Sequence, residues 1–476
     1  MFAALYGKNV VRITQDDPTS ALSLIEYETT FSCTQESVDT EWVNTSKLNV
    51  ITKKVVTDKS LKFDIVQTQN TGKSMTSTQV LEEGDIITSS GLWVGVITEK
   101  AKKSHCHACF IRLKGKVKRC GDCLFALYCS LECLSEDAIL HDAKCNILKD
   151  LSKTNLKLDN DGLESLRLAV AVLARKTSML EADPFDALLL HTMQEKEHRR
   201  IVKTIVMYMQ RFFTSVPAQY LSDIVTRIQF NSHPILDTVG VGIFPLAACI
   251  NHSCAPNAVY EYDTHQKQLV FRATERIGMH MEVTYSYLAD VYSRRCTRQS
   301  TLLATFQFKC NCTRCSALFE MSFDAYLEAF LCPHCEKQPM IPCTKKNKML
   351  ACIFCAHEVH EGYAKSIEEK ILSELHQLDA YTDKTQAHTA VLYLQKHKDV
   401  LRLHPLHHLR ELLIQRQLSL ALQLQDSISI QNSAASLLLL WRSYLCQNPH
   451  LTFDEAWTLL ETSHLRLQSL QGLLLP

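Results

Sequence analysis

The chain has 476 residues, 46% of them hydrophobic, with 51 basic side chains against 51 acidic ones. That length exceeds one ordinary domain and calls for roughly two to four. The apolar share excludes wholesale disorder, and the balanced charge excludes a global pull toward nucleic acid or an acidic membrane surface.

Residues 1–60 are mixed, with Ser/Thr-rich stretches and no clear punctuation, and receive no role. The first residues lack the charged region and apolar run of a signal peptide, and no stretch of about 20 apolar residues would span a bilayer. The 20 cysteines are therefore expected in a reducing, intracellular setting, cytoplasmic or nuclear, where clustered thiols bind metal. Over 61–104, short β-like runs alternate with turns at 63–67, 72–73, 80–81, 84–87 and 93–97.

Residues 105–146 read Cys106-x2-Cys109-x10-Cys120-x2-Cys123-x5-Cys129-x3-Cys133-x7-His141-x3-Cys145. Eight soft ligands in four pairs close two tetrahedral zinc sites with no open position, which holds a fold together and does no chemistry. From Lys100 to Arg119 there are eight basic residues and no acidic one. Such a run is a solvated face or, as the minority reading, a surface for an acidic partner or nucleic acid.

Residues 147–232 are helical: Leu163, Leu166, Val170 and Leu173, then Ile201, Ile205, Tyr208 and Phe212, recur at helix spacing and are read as packing. Strand signals return over 233–300, at 258–262, 268–273 and 282–287. Residues 301–316 hold Cys310-x-Cys312-x2-Cys315, three thiolates that cannot close a tetrahedron alone. Residues 317–360 hold Cys332-x2-Cys335 and Cys352-x2-Cys355, a pair of the zinc-ribbon kind. Residues 361–476 are Leu-rich, without glycine between Gly362 and Gly472, and predict an all-α tail. The fold class is α+β.

The finger resembles the MYND zinc finger, and the stretch 239–258, with Asn251-His252-Ser253-Cys254 at its centre, resembles the signature of SET-domain lysine methyltransferases. A β-rich SET fold split by a MYND finger and a helical insert resembles the SET-and-MYND (SMYD) family. That resemblance implies interleaved zinc ligands: Cys106, Cys109, Cys129 and Cys133 on one ion, Cys120, Cys123, His141 and Cys145 on the other. It implies Cys254 as fourth ligand to Cys310, Cys312 and Cys315, giving three zinc sites, with the CxxC pair a fourth. It implies S-adenosyl-L-methionine as cofactor, bound by Asn231, Asn251, His252 and Tyr285 and approached by the backbone at Gly72. Tyr287 falls at the catalytic tyrosine, pointing the same way as Tyr285 if the strand continues. Phe306 and Phe308 flank a target-lysine channel, one of them at a position that is often tyrosine.

The sequence departs from the family's glycine-rich first motif, reading Thr71-Gly72-Lys73-Ser74-Met75. A Cβ at Ser74 is expected to crowd the ligand or re-route the turn. The family's Gly-Glu-Glu has become His280-Met281-Glu282, with Gly278 expected to take over the turn. Two readings follow. One is a monomeric protein-lysine methyltransferase acting on histone or non-histone proteins. The other is a weak or inactive adaptor whose finger docks a proline-containing peptide and whose tail holds a partner. Neither calls for a membrane, and nucleic acid is the weaker third partner.

Overall fold

The computed structural model describes residues 61–68, 72–178, 184–190, 196–236, 238–288, 291–319, 322–336, 339–342, 348–352, 354–378, 381, 383–404, 406–430, 432–434 and 436–437. Residues 1–60, with Cys33, and the positions of Cys343 and Cys446 lie outside the described residues. The chain divides into two compact units, one holding 61–287 with 302–309, the other 288–301 with 310–437.

The first unit is built on short strands. β1 (Phe63–Thr68), β2 (Gly72–Ser77), β3 (Ile86–Gly91) and β4 (Val94–Ile97) precede the finger, whose hairpin is β5 (Lys118–Arg119) and β6 (Leu127–Tyr128). After the helices come β7 (Ser232–Ile235), β8 (Gly240–Ile243), β9 (Asn251–His252), β10 (Ala258–Asp263), β11 (Gln268–Ala273) and β12 (Glu282–Tyr285). They form three small sheets, ordered β1-β2-β12-β9, β10-β11-β3 and β4-β8-β7, so each sheet mixes strands from before and after the finger and helices. The expected run at 80–81 is only an isolated bridge, Leu81 to Ile277.

Inward residues of these sheets meet in one core, where Met75, Phe244, Leu269, Phe271 and Val283 are fully buried. Alternation puts Val283 and Tyr285 into that core and Glu282 and Thr284 on the other face of β12. Gly242 is required by close approach: a Cβ there would lie 2.5 Å from Leu92 Cδ1 and 2.9 Å from the Val94 carbonyl.

The helical insert is packed more tightly than its apolar stripes suggest. Helix Asn160–Ser178 has nine consecutive buried residues, 166–174, so it is enclosed on all sides. The one charge in that run, Arg167, pairs with Glu99 and donates to the Ile97 carbonyl at 3.2 Å. The helix Leu131–Leu151 begins inside the finger and runs past its expected end at 146, capped by Ser130, whose side chain accepts from the Cys133 N–H.

The second unit carries a four-stranded antiparallel sheet: β13 (Phe330–Leu331), β14 (Pro339–Pro342), β15 (Met349–Cys352) and β16 (Glu358–His360). Helices Glu361–Leu378, Lys384–Gln395 and His408–Leu424 follow, and Ile367, Ile371, Val391, Leu394, Leu409 and Leu413 bury themselves with Phe330 and Met340 in a separate core. No helix among the described residues is long and apolar enough to cross a membrane.

Candidate functional site

The central feature is the crossing of β9 beside β12. The two run parallel, with Thr284 opposite Asn251 and Tyr285 opposite His252. β2 lies on the other side of β12, so three neighbouring strands each present one polar side chain. Ser74 Oγ donates to Glu282 Oε1 at 2.6 Å, and Asn251 Nδ2 donates to the same oxygen at 2.9 Å. Ser74, expected to crowd or re-route the turn, is 2% exposed and engaged in this contact. Gly72 adopts φ +71°, a left-handed conformation that favours glycine, with open space where a Cβ would sit. Gly278 does open the turn before β12, its carbonyl accepting from the Met281 N–H at 3.2 Å, while the left-handed residue of that turn is His280, at φ 63°.

His252 is locked at both ring nitrogens. The Tyr287 N–H donates to Nδ1 at 3.0 Å, so in the neutral ring Nε2 carries the proton, 3.3 Å from Cys254 Sγ. Its imidazole therefore positions Tyr287 and Cys254, and offers no spare ring nitrogen to a ligand.

Tyr285 and Tyr287 lie ring against ring, centroids 5.0 Å apart, although the strand ends at Tyr285, and their hydroxyls find different partners. Tyr285 turns into the core. The Asn231 carbonyl only accepts, so His233 Nδ1 carries the proton that it donates there at 3.2 Å, and Nε2 accepts the Tyr285 hydroxyl at 2.8 Å. Burial holds His233 neutral, lowering its pKa to about 4. Asn231 spends both amide hydrogens on the carbonyls of Arg227 (2.8 Å) and Leu189 (3.0 Å), leaving Oδ1 as the atom it can offer a ligand.

Tyr287 donates its hydroxyl to the Ile250 carbonyl at 2.8 Å. Burial raises its pKa, helped by Cys249 and Glu282, so the phenol stays protonated. Around its ring stand Phe306 at 4.9 Å, Tyr285 at 5.0 Å, His252 at 5.3 Å and Phe308 at 6.4 Å. Phe306 ends the helix Arg295–Phe306, and Gln307, left-handed at φ 59°, turns the chain so that Phe308 lies 6.5 Å from Phe306. Lys73, which sequence reasoning did not single out, donates to the Ala187 carbonyl, and burial lowers its pKa.

The cysteine spacing gathers into donor groups. In the finger, the ligand atoms of Cys106, Cys109, Cys129 and Cys133 lie within 4.8 Å of one another, as do those of Cys120, Cys123, His141 and Cys145. In the second unit so do Cys332, Cys335, Cys352 and Cys355, and the trio Cys310, Cys312 and Cys315; Cys254 belongs to the first unit. Sulfur separations are 3.6 Å for Cys109–Cys129, 3.7 Å for Cys120–Cys145 and 3.6 Å for Cys332–Cys355. A tetrahedral zinc with bonds of about 2.3 Å needs edges of roughly 3.8 Å, so these sets fit the ion.

Beside the trio, Asp324 is fully buried among Arg295, Arg298 and Arg314, with contacts of 2.8, 2.8 and 2.6 Å. One carboxylate under three guanidiniums leaves positive charge in excess, and Arg298 reaches Cys315 Sγ at 4.0 Å. That field suits thiolates.

A further cluster had no sequence signal. Glu368 Oε1 lies 3.2 Å from His407 Nε2 and 3.7 Å from His408 Nε2. His407 Nδ1 accepts the Leu409 N–H at 3.2 Å, so Nε2 of the neutral ring bears a proton facing the carboxylate. The cluster is a buried polar knot of one carboxylate and two imidazoles.

Comparison with known proteins matches residues 72–288 to the SET domain. The histone-lysine N-methyltransferase ASHR1 of Arabidopsis thaliana is 28% identical over 283 residues, 55% of this chain and 57% of that protein. The N-lysine methyltransferase SMYD2 of Homo sapiens is 26% identical over 260 residues, 52% of this chain and 58% of that one. The chain thus spans under three fifths of the length of these relatives. The SET domain of LSMT, solved with lysine and AdoHcy, aligns over 90% of both chains at 11% identity with a TM-score of 0.33, too loose a likeness to argue from. Residues 72–288 thus match the SET domain, and these two relatives are named as lysine methyltransferases.

Proposed function

We propose that the protein is an S-adenosylmethionine-dependent protein-lysine N-methyltransferase. The observation that carries this reading is Tyr287, a protonated phenol held on the Ile250 carbonyl and walled by Phe306, Phe308 and His252, beside a strand presenting Asn251. The bound cofactor would supply an electrophilic methyl on a sulfonium, transferred by in-line displacement to a neutral amine. The protein's share is to hold that amine in line and strip its water. With its proton committed to Ile250, the Tyr287 oxygen keeps lone pairs for an electropositive methyl or for the amine's N–H. The apolar faces of Phe306 and Phe308 favour the uncharged amine on entry and tolerate the methylated ammonium on exit. Asn231 Oδ1, Asn251 and the turn at Gly72 are the groups for the cofactor's amino-acid end.

In this reading the finger holds two zinc ions and the CxxC pair a third, all structural. The trio Cys310, Cys312 and Cys315 offers three thiolates to a further structural zinc. The thiolate sites suit a reducing, intracellular setting. The substrate is a lysine of a protein.

Calorimetric titration of the zinc-loaded protein with S-adenosylmethionine tests the reading. Binding at micromolar concentration or below is expected. No binding by folded, fully metallated protein overturns the enzyme and leaves the adaptor.

A further inference from the structure

Within that reading, we infer that Ser74 is a positioning residue for the cofactor site: with Glu282 it sets which end of the Asn251 amide faces the ligand. Three strands meet here in the order β2-β12-β9, and each gives one side chain to a single point. Glu282 Oε1 accepts from Ser74 Oγ at 2.6 Å and from Asn251 Nδ2 at 2.9 Å. A carboxylate only accepts, so the amide nitrogen of Asn251 must face it and the amide oxygen must point away. That oxygen is the atom suited to an ammonium such as the one on an amino-acid ligand.

The backbone of Glu282 is held as well. Its carbonyl accepts from Asn257 Nδ2 at 2.8 Å, and Asn257 Oδ1 in turn accepts from the Thr284 N–H at 2.8 Å. The carboxylate's own direction is left to Ser74. Ser74 is 2% exposed, so water cannot readily replace its hydroxyl. A residue that departs from a glycine-rich motif thereby supplies a hydrogen bond that glycine could not, and Asn251 inherits the orientation it imposes.

The test is a double-mutant cycle on cofactor binding. Ser74→Ala should weaken S-adenosylmethionine binding about tenfold, the loss expected for one hydrogen bond to a charged group, and raise KM for the cofactor while kcat stays within about twofold. Ser74→Thr, which keeps a hydroxyl on a strand, should restore most of the affinity. In an Asn251→Ala background the Ser74→Ala change should lose its effect, because the orientation it secures no longer matters. A general loosening of the strands would instead persist in that background. Binding by Ser74→Ala equal to the parent, or an equal loss with and without Asn251, overturns the inference. Failure of the parent itself to bind overturns the methyltransferase reading, a result distinguishable from either.

Discussion

The zinc-type clusters and the chamber around Tyr287 were read from the same sequence but resolve differently. Ligands such as Cys106, Cys109, Cys120 and Cys123 carry their geometry in their spacing, because a Cys-x2-Cys turn brings two sulfurs onto one ion whatever surrounds it. Their pairing in space is the interleaved one. The chamber has no such rule. Tyr285 and Tyr287, two residues apart, pack ring to ring at 5.0 Å, and only the fold shows that one hydroxyl bonds His233 and the other the Ile250 carbonyl. Motifs fixed by covalent reach can be read locally; roles fixed by which distant partner a hydroxyl meets cannot.

The largest effect expected of any change falls on the first kind of region. Structural zinc in isolated fingers contributes about 10–16 kcal/mol of coupled folding and binding. Chelation should therefore unfold 105–146, and Cys106→Ser should lower the bound zinc by one ion per chain while the other sites stay loaded. Elemental analysis with circular dichroism reads both. Full zinc content in Cys106→Ser would break the assignment of that residue to a closed site.

A buried charge cluster gives the next largest effect. Asp324→Asn leaves three guanidiniums without their carboxylate, and breaking such a pair costs about 3–5 kcal/mol. Lys267→Ala, which removes a pairing with the exposed Glu136, should cost under about 1 kcal/mol. Urea unfolding of the two variants separates them, and equal losses would show that Asp324 is not sealed from water.

The chamber's own test is smaller in energy and sharper in meaning. Tyr287→Phe removes only the oxygen, so methyl transfer should fall about a hundredfold while cofactor affinity changes less than about twofold. A single-turnover assay beside calorimetry measures both. Parent-like transfer would leave the aromatic sleeve as packing and strip Tyr287 of its role.

Much of this architecture was legible. Except for the run at 80–81, the β-like runs, the helical stripes and the donor sets correspond to elements and clusters at or near those positions, because alternation, helical periodicity and metal spacing are local signals. What stayed hidden depended on partners far along the chain. Ser74 looked like a flaw in a glycine motif, since nothing local says that Glu282, 208 positions away, would accept its hydroxyl. Helix Asn160–Ser178 shows an apolar stripe, yet its enclosure on every side depends on the elements packed around it. Gly278 opens the turn before β12 as its position predicts, while only the fold puts His280 in the left-handed conformation there.

The knot of Glu368 with His407 and His408 is the extreme of this hidden class, and acid titration is the way to expose it. His407 is fully buried, and Glu368, His408 and Arg410 surround it, with Arg294 reaching Glu368 at 3.4 Å. Burial pushes His407 down to about 4 despite the nearby carboxylate, and, helped by Arg410, His404 to about 3. Both rings are thus neutral in the fold but take up a proton near pH 6.5 once the chain unfolds. The unfolded state then binds more protons, so stability present above about pH 6.5 is lost as the pH falls toward 4, by roughly 1.4 kcal/mol per pH unit for each ring. Burial alone would raise the pKa of Glu368, but the close approach of the His407 and His408 rings outweighs it and holds the carboxyl well below its usual range. Its contribution is present above about pH 4.5 and lost on further acidification, in the same direction. Urea midpoints of the metallated protein between pH 7 and 5 should fall, and His407→Gln should reduce that slope by about one ring's share. A flat profile would mean that these histidines already exchange protons with solvent, and the second unit would then lack the sealed polar core that sets it apart from the finger.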